Sequence, residues 1–579
     1  MKKYSLRINK FQVGLLLIVL LLGCFFRFYN LADKVFWVDE ISTVVRASGY
    51  TVKEVGESLV RQDVVDRDRF LLYQTIASDK TFFDSWNALV RSPEHAPLYF
   101  VLARFWMQLW GSSITVVRAL SVCLSLLVFP ALYWLCRELF ARPFVGYIAV
   151  ILFSVSPFYV TYAQEARPYS LWTVTILLMS ASLLRAIRLN HRQSWLLYGC
   201  CLVLGLYTSL FSIYVAFFQG LYLLLVSLKN RFKIIKNYLL TVLLSLLAFS
   251  PWIFIIFNNI DLLHENTSWM RGNFNLIEII AVYIGTTLLI FGDLPISQDS
   301  NPVQMAIVLI VIVAIVLASI KGNYLKKNPI AFGLLLLASS GFFLFSSNLD
   351  RVSLIGALVA LCILCLSGYS LYYVIQTTSH ERWLFIPCLI LSLPLPLLIA
   401  DIINQGQSST APRYLIPLQL GIQISVAYTI ASKLKIKPKR KFWQLLTIGF
   451  LILGIFSCIR NSNISPFYQK GRNINNEAVA QIINRAESPL VVLEPDTAMD
   501  ALSLAYSLSP QTKYKAIANS QNVTKYLTNF SPVFILKPSN ELKQKLQQVE
   551  GINFARVYQS HLFSNDEIPF DLWSIKPVN

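Results

Sequence analysis

The sequence predicts a polytopic α-helical membrane protein that ends in a small α/β domain. Three observations indicate this fold class. Hydrophobic residues make up 55% of the 579 residues, and charged residues only 14%, well below the roughly one-quarter that is usual in soluble proteins. Apolar runs long enough to cross a bilayer recur as far as Arg460, and strand-like and helical segments alternate after it.

A formal net charge of +19 could indicate a nucleic-acid partner, but the positions of the charged residues argue against one. Lysine and arginine gather in short connectors between the apolar runs, as the positive-inside rule requires of a membrane protein. We therefore expect no nucleic-acid partner. The basic connectors predict the side of the membrane on which each loop lies.

About thirteen apolar runs have the length of a membrane span. Placing every basic connector in the cytoplasm puts the amino end inside and the carboxyl end outside. The first run follows Lys2, Lys3, Arg7 and Lys10 and is predicted to be an uncleaved anchor in the plasma (inner) membrane. The predicted spans are 11–29, 114–136, 144–160, 170–187, 194–210, 212–228, 238–257, 303–320, 329–347, 352–375, 383–402, 414–431 and 442–459.

Two further apolar segments are predicted to lie on the outer membrane surface rather than to cross it. Pro97–Trp110 is short and contains Arg104, and Leu276–Phe291 contains Glu278. A crossing at the first segment would move the next basic loop to the outside. Both therefore read as interfacial helices.

The chain divides into two predicted regions. Residues 1–460 form a transmembrane catalytic domain with a long first outer loop, 30–113, and residues 461–579 form a soluble α/β domain outside the membrane. The terminal region contains no glycine-rich phosphate loop, so we assign it no catalysis. Its predicted strands are Ser488–Glu494 and Ser531–Lys537, its predicted helices are Ala498–Leu508 and Asn540–Val549, and Leu562–Lys576 is expected to add further strands.

Two adjacent carboxylates, Asp39 and Glu40, follow Trp37 where the first predicted span reaches water. Neighbouring side chains cannot point the same way, so one carboxylate could face a reacting centre while structure or a metal holds the other. A carboxylate in that place can serve as a general base. The alternative is that the pair only begins a helix, because acidic residues favour the first turn.

A second set of candidates lies at the start of the first interfacial segment. Glu94 and His95 stand between two prolines, and a carboxylate beside an imidazole can hold a divalent cation or contact a phosphate. The alternative is a helix cap with an incidental histidine. His264, in the third outer loop, is the other histidine that faces the outer surface of the membrane domain, and it completes the predicted metal set.

The short outer loop before the fourth predicted span gives the strongest single signal. Glu165 and Arg167 precede Tyr169 at a bilayer boundary, where charged side chains are kept mainly for pairing or function. Arg167 can hold a phosphate through a forked pair of hydrogen bonds, and Glu165 can orient a partner. The alternative is an arginine that reaches the interface beside its neighbouring glutamate. Arg413 and Tyr414 repeat the arrangement at a later span.

Carboxylates, a histidine and arginines thus converge on the outer surface from separate loops, which suits an anionic lipid substrate. These residues resemble the polyprenyl-phosphate-sugar-dependent glycosyltransferases of superfamily C. The likeness is greatest to the bacterial branch related to protein O-mannosyltransferases and the lipid A aminoarabinose transferase. It is carried by Arg27, Leu31 and Trp37–Glu40, by Glu94–Tyr99, and by Ser156–Phe158 with Gln164–Leu171.

The resemblance implies an inverting sugar transfer on the outer face, with Asp39 as the base. Glu94 falls where the aminoarabinose branch has a metal-contacting glutamate, and His95 replaces a lysine that there contacts the lipid phosphate. A divalent metal ion is the one cofactor this suggests. The implied partners are a polyprenyl-phosphate-linked sugar donor, membrane lipid and an extracytoplasmic acceptor. The predicted substrate-binding residues are His95, Glu165, Arg167, Tyr169, Arg413, Tyr414 and, more loosely matched, Arg271.

Two other classes of function remain open at this stage. A transporter or flippase of lipid-linked sugars would show repeated halves and broken helices near the midplane, whereas the sequence has no internal repeat and its charges gather at one face. A non-catalytic subunit of cell-envelope polysaccharide assembly would keep the same fold but would not need Asp39.

Overall fold

The computed structural model describes residues 10–226, 231–293, 351–436, 440–464, 471–518, 523–560 and 570–577. These residues are mainly helical, and they end in one mixed β-sheet. The predicted fold class, a helical polytopic membrane protein with a small carboxyl-terminal α/β domain, is confirmed.

The first half of the chain has one apolar helix, then five helices of the first outer loop, and then the helices of the membrane region. In chain order they are α1 (Lys10–Phe28), α2 (Val38–Ser48), α3 (Val52–Arg61), α4 (Arg67–Leu71), α5 (Phe82–Val90), α6 (Leu98–Trp110), α7 (Ile114–Leu126), α8 (Val128–Phe140), α9 (Pro143–Ser154), α10 (Pro157–Ala163), α11 (Tyr169–Leu189), α12 (Arg192–Thr208) and α13 (Ser212–Leu225).

The second half continues the membrane region and then enters the terminal domain. Its described helices are α14 (Arg231–Asn258), α15 (Ile260–Asn266), α16 (Leu276–Leu289), α17 (Arg351–Thr377), α18 (His380–Leu391), α19 (Pro394–Asn404), α20 (Ile416–Lys433), α21 (Arg440–Asn463), α22 (Asn476–Ile483), α23 (Ala498–Ala505) and α24 (Asn540–Gln547).

Among the described residues, seven helices are long and apolar enough to cross a membrane. An eighth is present if α9 and α10, which meet at an angle of 65°, form one bent span. The predicted spans 303–320 and 329–347 lie outside the described residues, and the apolar part of the first helix, Leu16–Phe28, is among the shorter apolar helices. The total of thirteen spans therefore stays a prediction.

Both segments predicted to be interfacial form helices too short to cross a bilayer. Helix α6 has 13 residues and α16 has 14, whereas a span needs about 20. The buried Arg104 of α6 donates hydrogen bonds to the backbone oxygens of Ala47 (3.2 Å) and Lys80 (2.5 Å). An arginine within this apolar helix therefore joins two segments of the first outer loop.

The terminal sheet has the strand order β1-β3-β2-β4-β6-β5. Strands β2, β3 and β4 are parallel, whereas β1, β6 and β5 are antiparallel to their neighbours. Strand β1 comes from the first outer loop, so residues 461–579 do not build this sheet alone. The strands are β1 (Val65–Asp66), β2 (Leu490–Leu493), β3 (Lys513–Ala516), β4 (Val533–Leu536), β5 (Ile552–Tyr558) and β6 (Leu572–Pro577).

The two buried central strands, β2 and β4, and the helices after them fall where the sequence predicts them. Strand β3 is not predicted, because its Lys-Tyr-Lys-Ala sequence has none of the apolar run that marks a buried strand. Its Lys515 is nevertheless buried, and its ammonium group donates to the backbone oxygens of Val60 and Gln62 in the first outer loop. Contacts with a distant loop thus stabilise this strand.

The terminal domain contains an ion cluster around the buried carboxylate of Asp500. The carboxylate of Asp500 accepts hydrogen bonds from Arg472 (2.9 and 2.8 Å) and from Lys537 (2.9 Å). Burial raises the pKa of this carboxyl group, but the two cations and their hydrogen bonds outweigh burial and hold the pKa below its ordinary value.

An aromatic contact also joins the terminal domain to the first outer loop. The ring of Tyr506, after α23, packs edge-on against Phe36, with ring centres 5.5 Å apart.

The end of α1 is anchored by hydrogen bonds to the break between α9 and α10. Arg27 is fully buried and donates to the backbone oxygen of Ser154 (2.7 Å). The amide of Gln164 donates to the oxygens of Phe26 and Tyr29 (both 2.8 Å) and accepts from Lys34 (2.5 Å). These bonds hold the first outer loop beside residues 164–169.

Candidate active site

Asp39 is the second residue of α2, and its carboxylate lies between two arginines from other loops. The oxygen Oδ2 is 3.9 Å from a terminal guanidinium nitrogen of Arg167 and 3.9 Å from one of Arg413. The Asp39 side chain is 27% exposed, so the carboxylate remains open to solvent or substrate. The structure thus brings together three predicted site residues that are far apart in the sequence.

Glu40 points the opposite way and is fully buried. Arg118 donates to it from Nε (2.8 Å) and Nη2 (2.7 Å), and the backbone N–H of Ala166 donates to the same carboxylate (2.8 Å). Glu40 is also a predicted catalytic residue, but in the structure its oxygens hold the scaffold, and of the two neighbours the Asp39 carboxylate is the partly exposed one. A forked arginine–carboxylate pair of this kind fixes orientation well.

Arg118 is not among the site residues that the sequence predicts. Besides Glu40, its guanidinium donates to the backbone oxygens of Leu31 (2.5 Å), Lys34 (3.1 Å) and Val35 (2.9 Å). Its position inside an apolar run could have identified Arg118 as a candidate, because a charged side chain there is costly unless it is paired. Its role is to fix the loop that leads to Asp39.

Arg167 is bound to the same helix that carries Asp39. One terminal nitrogen donates to the backbone oxygen of Asp39 (3.1 Å) and to Oγ1 of Thr43 (3.0 Å), and the other lies 3.5 Å from the hydroxyl of Tyr169. Glu165 is buried in the loop that carries Arg167. Its backbone oxygen accepts a hydrogen bond from the backbone N–H of Arg167 (2.7 Å), which forms a tight turn. The side chain of Arg167 is therefore directed by α2 and by Tyr169.

Arg413 lies among aromatic rings. Its guanidinium carbon is 5.9 Å from the ring centre of Trp37, 5.7 Å from Trp269 and 5.3 Å from Tyr414. A guanidinium over the face of an indole is stabilised by about 0.5–2 kcal/mol. Trp269, which sequence reasoning missed, is 42% exposed and so presents one face of this cluster to the outside.

The third outer loop, which carries Trp269, is attached to the loop between α19 and α20. Gln407 donates from its side-chain amide to the oxygen of Trp269 (2.8 Å) and from its backbone N–H to the oxygen of Met270 (3.0 Å). A Cβ atom at Gly406 would lie 2.5 Å from that same Met270 oxygen, so only glycine allows this approach. Asp401 closes the turn by accepting from Ser408 and Ser409.

Glu94 and His95 lie at the edge of this site. An oxygen of Glu94 is 3.5 Å from Nε2 of His95 and 3.9 Å from a guanidinium nitrogen of Arg46, and the other accepts from the side-chain amide of Asn266 (3.0 Å). Burial, together with the positive charges of Arg46, Arg167 and Arg413, lowers the pKa of His95 well below its ordinary value. Its imidazole is therefore neutral at neutral pH.

The predicted metal set is not assembled. Across the described ranges no group of three histidine, cysteine, aspartate or glutamate side chains could hold a metal ion, so Glu94, His95 and His264 do not form one site. His264 and Arg271 are exposed on the third outer loop, where the Arg271 guanidinium donates to the backbone oxygen of His264. Arg271 is thus held within its own loop.

Residues 94–255 match the model of a family described as dolichyl-phosphate-mannose-protein mannosyltransferase. The matched segment begins at Glu94 and includes His95, Glu165, Arg167 and Tyr169. The predicted resemblance to polyprenyl-phosphate-sugar glycosyltransferases is confirmed for that segment. A comparison with curated proteins finds no match.

Solved structures are also similar to this chain, at low sequence identity. ArnT from Cupriavidus metallidurans bound to undecaprenyl phosphate is 12% identical, with a TM-score of 0.39 and 97% of each chain covered. The same protein in the apo state is 13% identical, with a TM-score of 0.38 and the same coverage. The Archaeoglobus fulgidus oligosaccharyltransferase tethered with an acceptor peptide is 12% identical, with a TM-score of 0.42, covering 88% of this chain and 64% of its own.

Proposed function

We propose that this protein is an integral-membrane glycosyltransferase. It moves a sugar from a polyprenyl-phosphate carrier to an extracytoplasmic acceptor, which is a lipid, a glycan or a protein. One observation carries the proposal: Asp39 is a part-exposed carboxylate held 3.9 Å from the guanidinium groups of both Arg167 and Arg413. A base and two anion-binding groups thus lie within the reach of one phosphate-linked sugar.

Asp39 is the general base. The acceptor hydroxyl attacks the anomeric carbon of the donor sugar, and the Asp39 carboxylate takes the hydroxyl proton as the new carbon–oxygen bond forms. Attack opposite to the phosphate gives inversion at that carbon. A positioned base of this kind contributes about 10²–10⁴-fold to a rate.

Arg167 and Arg413 stabilise the leaving group. When the bond between the anomeric carbon and the phosphate oxygen breaks, the carrier departs as a phosphate monoester and gains one negative charge. Guanidinium groups preorganised at that position stabilise the transition state more than the ground state. Their largely buried surroundings strengthen the interaction, because low dielectric reduces screening.

The remaining predicted residues shape the donor site around these groups. Tyr169 and Tyr414 orient the two arginines, and Glu165 lies at the base of the Arg167 turn. The neutral imidazole of His95 can donate one hydrogen bond and accept another, so it is suited to sugar hydroxyls or to a phosphate oxygen. Arg271, on the third outer loop, remains a loosely matched candidate for donor binding.

The donor atoms of Glu94 and His95 do not fit a closed metal site. Glu94 has one oxygen beside His95 and Arg46 and gives the other to Asn266, so its charge is already compensated by a cation and an amide.

The site also supports the predicted topology. Asp39, Arg167 and Arg413 come from three loops that the basic-connector argument assigns to one side of the membrane, and the guanidinium groups of both arginines lie 3.9 Å from the Asp39 carboxylate. We therefore propose that this side is extracytoplasmic, in the plasma membrane, with the amino end in the cytoplasm. A reporter fused after Asn579 should report an extracytoplasmic location, and one inserted within 433–441 a cytoplasmic location.

The experiment that tests the function uses the purified full-length protein in detergent. It is supplied with polyprenyl-phosphate-linked sugars and with lipid, glycan and peptide acceptors, and the loss of donor and the mass of the product are recorded. We expect a product whose mass equals acceptor plus sugar minus water. Movement of intact donor across vesicles with no cleaved carrier would instead identify a flippase.

A further inference from the structure

Helix α2, which carries Asp39, begins without a cap of its own. Its N-cap residue is Trp37, whose side chain makes no capping hydrogen bond. The first N–H groups of a helix have no partner within the helix, and one that is buried without any partner is costly. The buried start of α2 therefore depends on another part of the chain.

That partner is Asn473, in the terminal domain. Its side-chain oxygen Oδ1 accepts a hydrogen bond of 2.9 Å from the backbone N–H of Val38, the first residue of α2. Asparagine is among the best capping residues, and here it caps the helix from 435 positions away. Asn473 is itself fully buried.

A chain of side-chain hydrogen bonds keeps Asn473 in place and returns to the same loop. The amide of Asn473 donates to Asn476 (3.3 Å), and the amide of Asn476 donates to the hydroxyl of Ser503 (2.9 Å). The hydroxyl of Ser503 donates to the backbone oxygen of Phe36 (2.6 Å). The terminal domain thus holds the backbone on both sides of Trp37.

This attachment bears on Asp39 because its charge partners are not close. Both arginines are 3.9 Å from the Asp39 carboxylate, beyond the 2.7–2.9 Å of a strong charge-assisted hydrogen bond. The position of the carboxylate is therefore set by the first turn of α2. We propose that Asn473 is a positioning residue: the terminal domain caps the catalytic helix and thereby orients Asp39 for proton transfer.

The inference rests on the proposed glycosyl transfer, and its test uses variants of the full-length protein. Asn473→Ala removes the cap, whereas Asn473→Asp keeps an acceptor oxygen at the same place. Asn475→Ala is the matched control, because Asn475 is buried in the same segment but accepts its hydrogen bond from Tyr558 of the terminal domain (2.8 Å). The kcat and the donor KM are measured for each variant with a polyprenyl-phosphate sugar that the wild type uses.

For Asn473→Ala we expect kcat to fall about tenfold to a hundredfold, as a misplacement near 1 Å can produce, with the donor KM changed less than about twofold. Asn473→Asp should recover most of the rate, and Asn475→Ala should resemble the wild type. An unchanged kcat in Asn473→Ala, or an equal fall in Asn475→Ala, would overturn the proposal. If Asn473→Ala does not fold, Ser503→Ala takes its place with the same expectation.

Hydrogen exchange provides a readout that does not depend on activity. Removing the cap should speed exchange in the peptide that contains Val38 to Thr43, while the control variant leaves it unchanged. If the wild type transfers no sugar, the proposed function fails, but this measurement still tests the cap. Equal exchange in wild type and Asn473→Ala would then refute it.

Discussion

The guanidinium of Arg118 holds the carboxylate of Glu40 through two hydrogen bonds, of 2.8 and 2.7 Å, in a pair with no exposed side-chain surface. This pair keeps Glu40 buried, so that of the two adjacent acids only Asp39 has a partly exposed carboxylate. Glu40 is bound on the buried side of α2, and Asp39 faces the opposite side beside Arg167 and Arg413.

Replacing Asp39 by asparagine should abolish transfer and leave the protein folded. Asparagine preserves the shape but cannot take a proton, and the loss of a general base costs about 10²–10⁴-fold in rate. The measurement is turnover of a polyprenyl-phosphate sugar by the purified variant. Asp68→Asn, at an exposed carboxylate of the same outer loop, is the control and should behave as wild type. Near-normal turnover in Asp39→Asn would contradict the assignment.

Replacing Glu40 by glutamine should reduce stability. Removing one partner leaves Arg118 buried with an uncompensated charge, which typically costs about 3–5 kcal/mol. Thermal unfolding in detergent measures the effect, and Glu40→Leu combined with Arg118→Met should recover part of it. If Glu40→Gln unfolds at the wild-type temperature but transfers no sugar, Glu40 takes part in the chemistry after all.

Variants of Arg167 can distinguish the contribution of its charge to donor binding from that of its planar guanidinium geometry. Its guanidinium binds the backbone oxygen of Asp39 and the hydroxyl of Thr43, and lysine keeps the charge but not the planar fork. Arg167→Lys should therefore weaken donor binding, and Arg167→Ala should weaken it more. Donor affinity is measured for both variants and the wild type. Equal affinity in all three would refute phosphate binding, and loss in alanine alone would show that charge without the fork is enough.

Trp269 should act through Arg413. Its ring lies 5.7 Å from that guanidinium, and losing a cation–π contact of about 0.5–2 kcal/mol corresponds to roughly a 2–30-fold change. We expect Trp269→Ala to raise the donor KM within that range and Trp269→Phe to restore part of it. The exposed Trp110, at the end of α6, provides the control variant Trp110→Ala. No difference between the two alanine variants would exclude the role.

Removal of divalent cations should leave transfer largely unchanged. The basis is that Glu94 already lies beside Arg46 and His95 and accepts from Asn266. The measurement is turnover after treatment with a chelator and after magnesium or manganese is restored. A loss on chelation that the metal reverses would show that Glu94 and His95 bind a cation with water ligands.

Much of the architecture follows from local properties of the sequence. Apolar runs predict helices because a bilayer leaves the backbone no other partner, and basic connectors predict which loops share a side. Burial on both faces makes β2 and β4 recognisable as apolar runs. The motifs around Asp39, Glu94 and Arg167 could likewise be read directly, because each consists of neighbours in the chain.

Only the tertiary structure decided which residues that are distant in the sequence form pairs. The sequence places Asp39 and Glu40 side by side but does not say which one Arg118, 78 positions away, will bind. Neither Trp269 nor Asn473 belongs to a motif, and each matters through a partner from another loop or domain. Strand β3 is likewise stabilised by Lys515, which reaches the first outer loop. The reason is physical: hydropathy and periodicity report a residue's average surroundings, whereas a hydrogen bond or an ion pair depends on how the folded chain orients two particular groups.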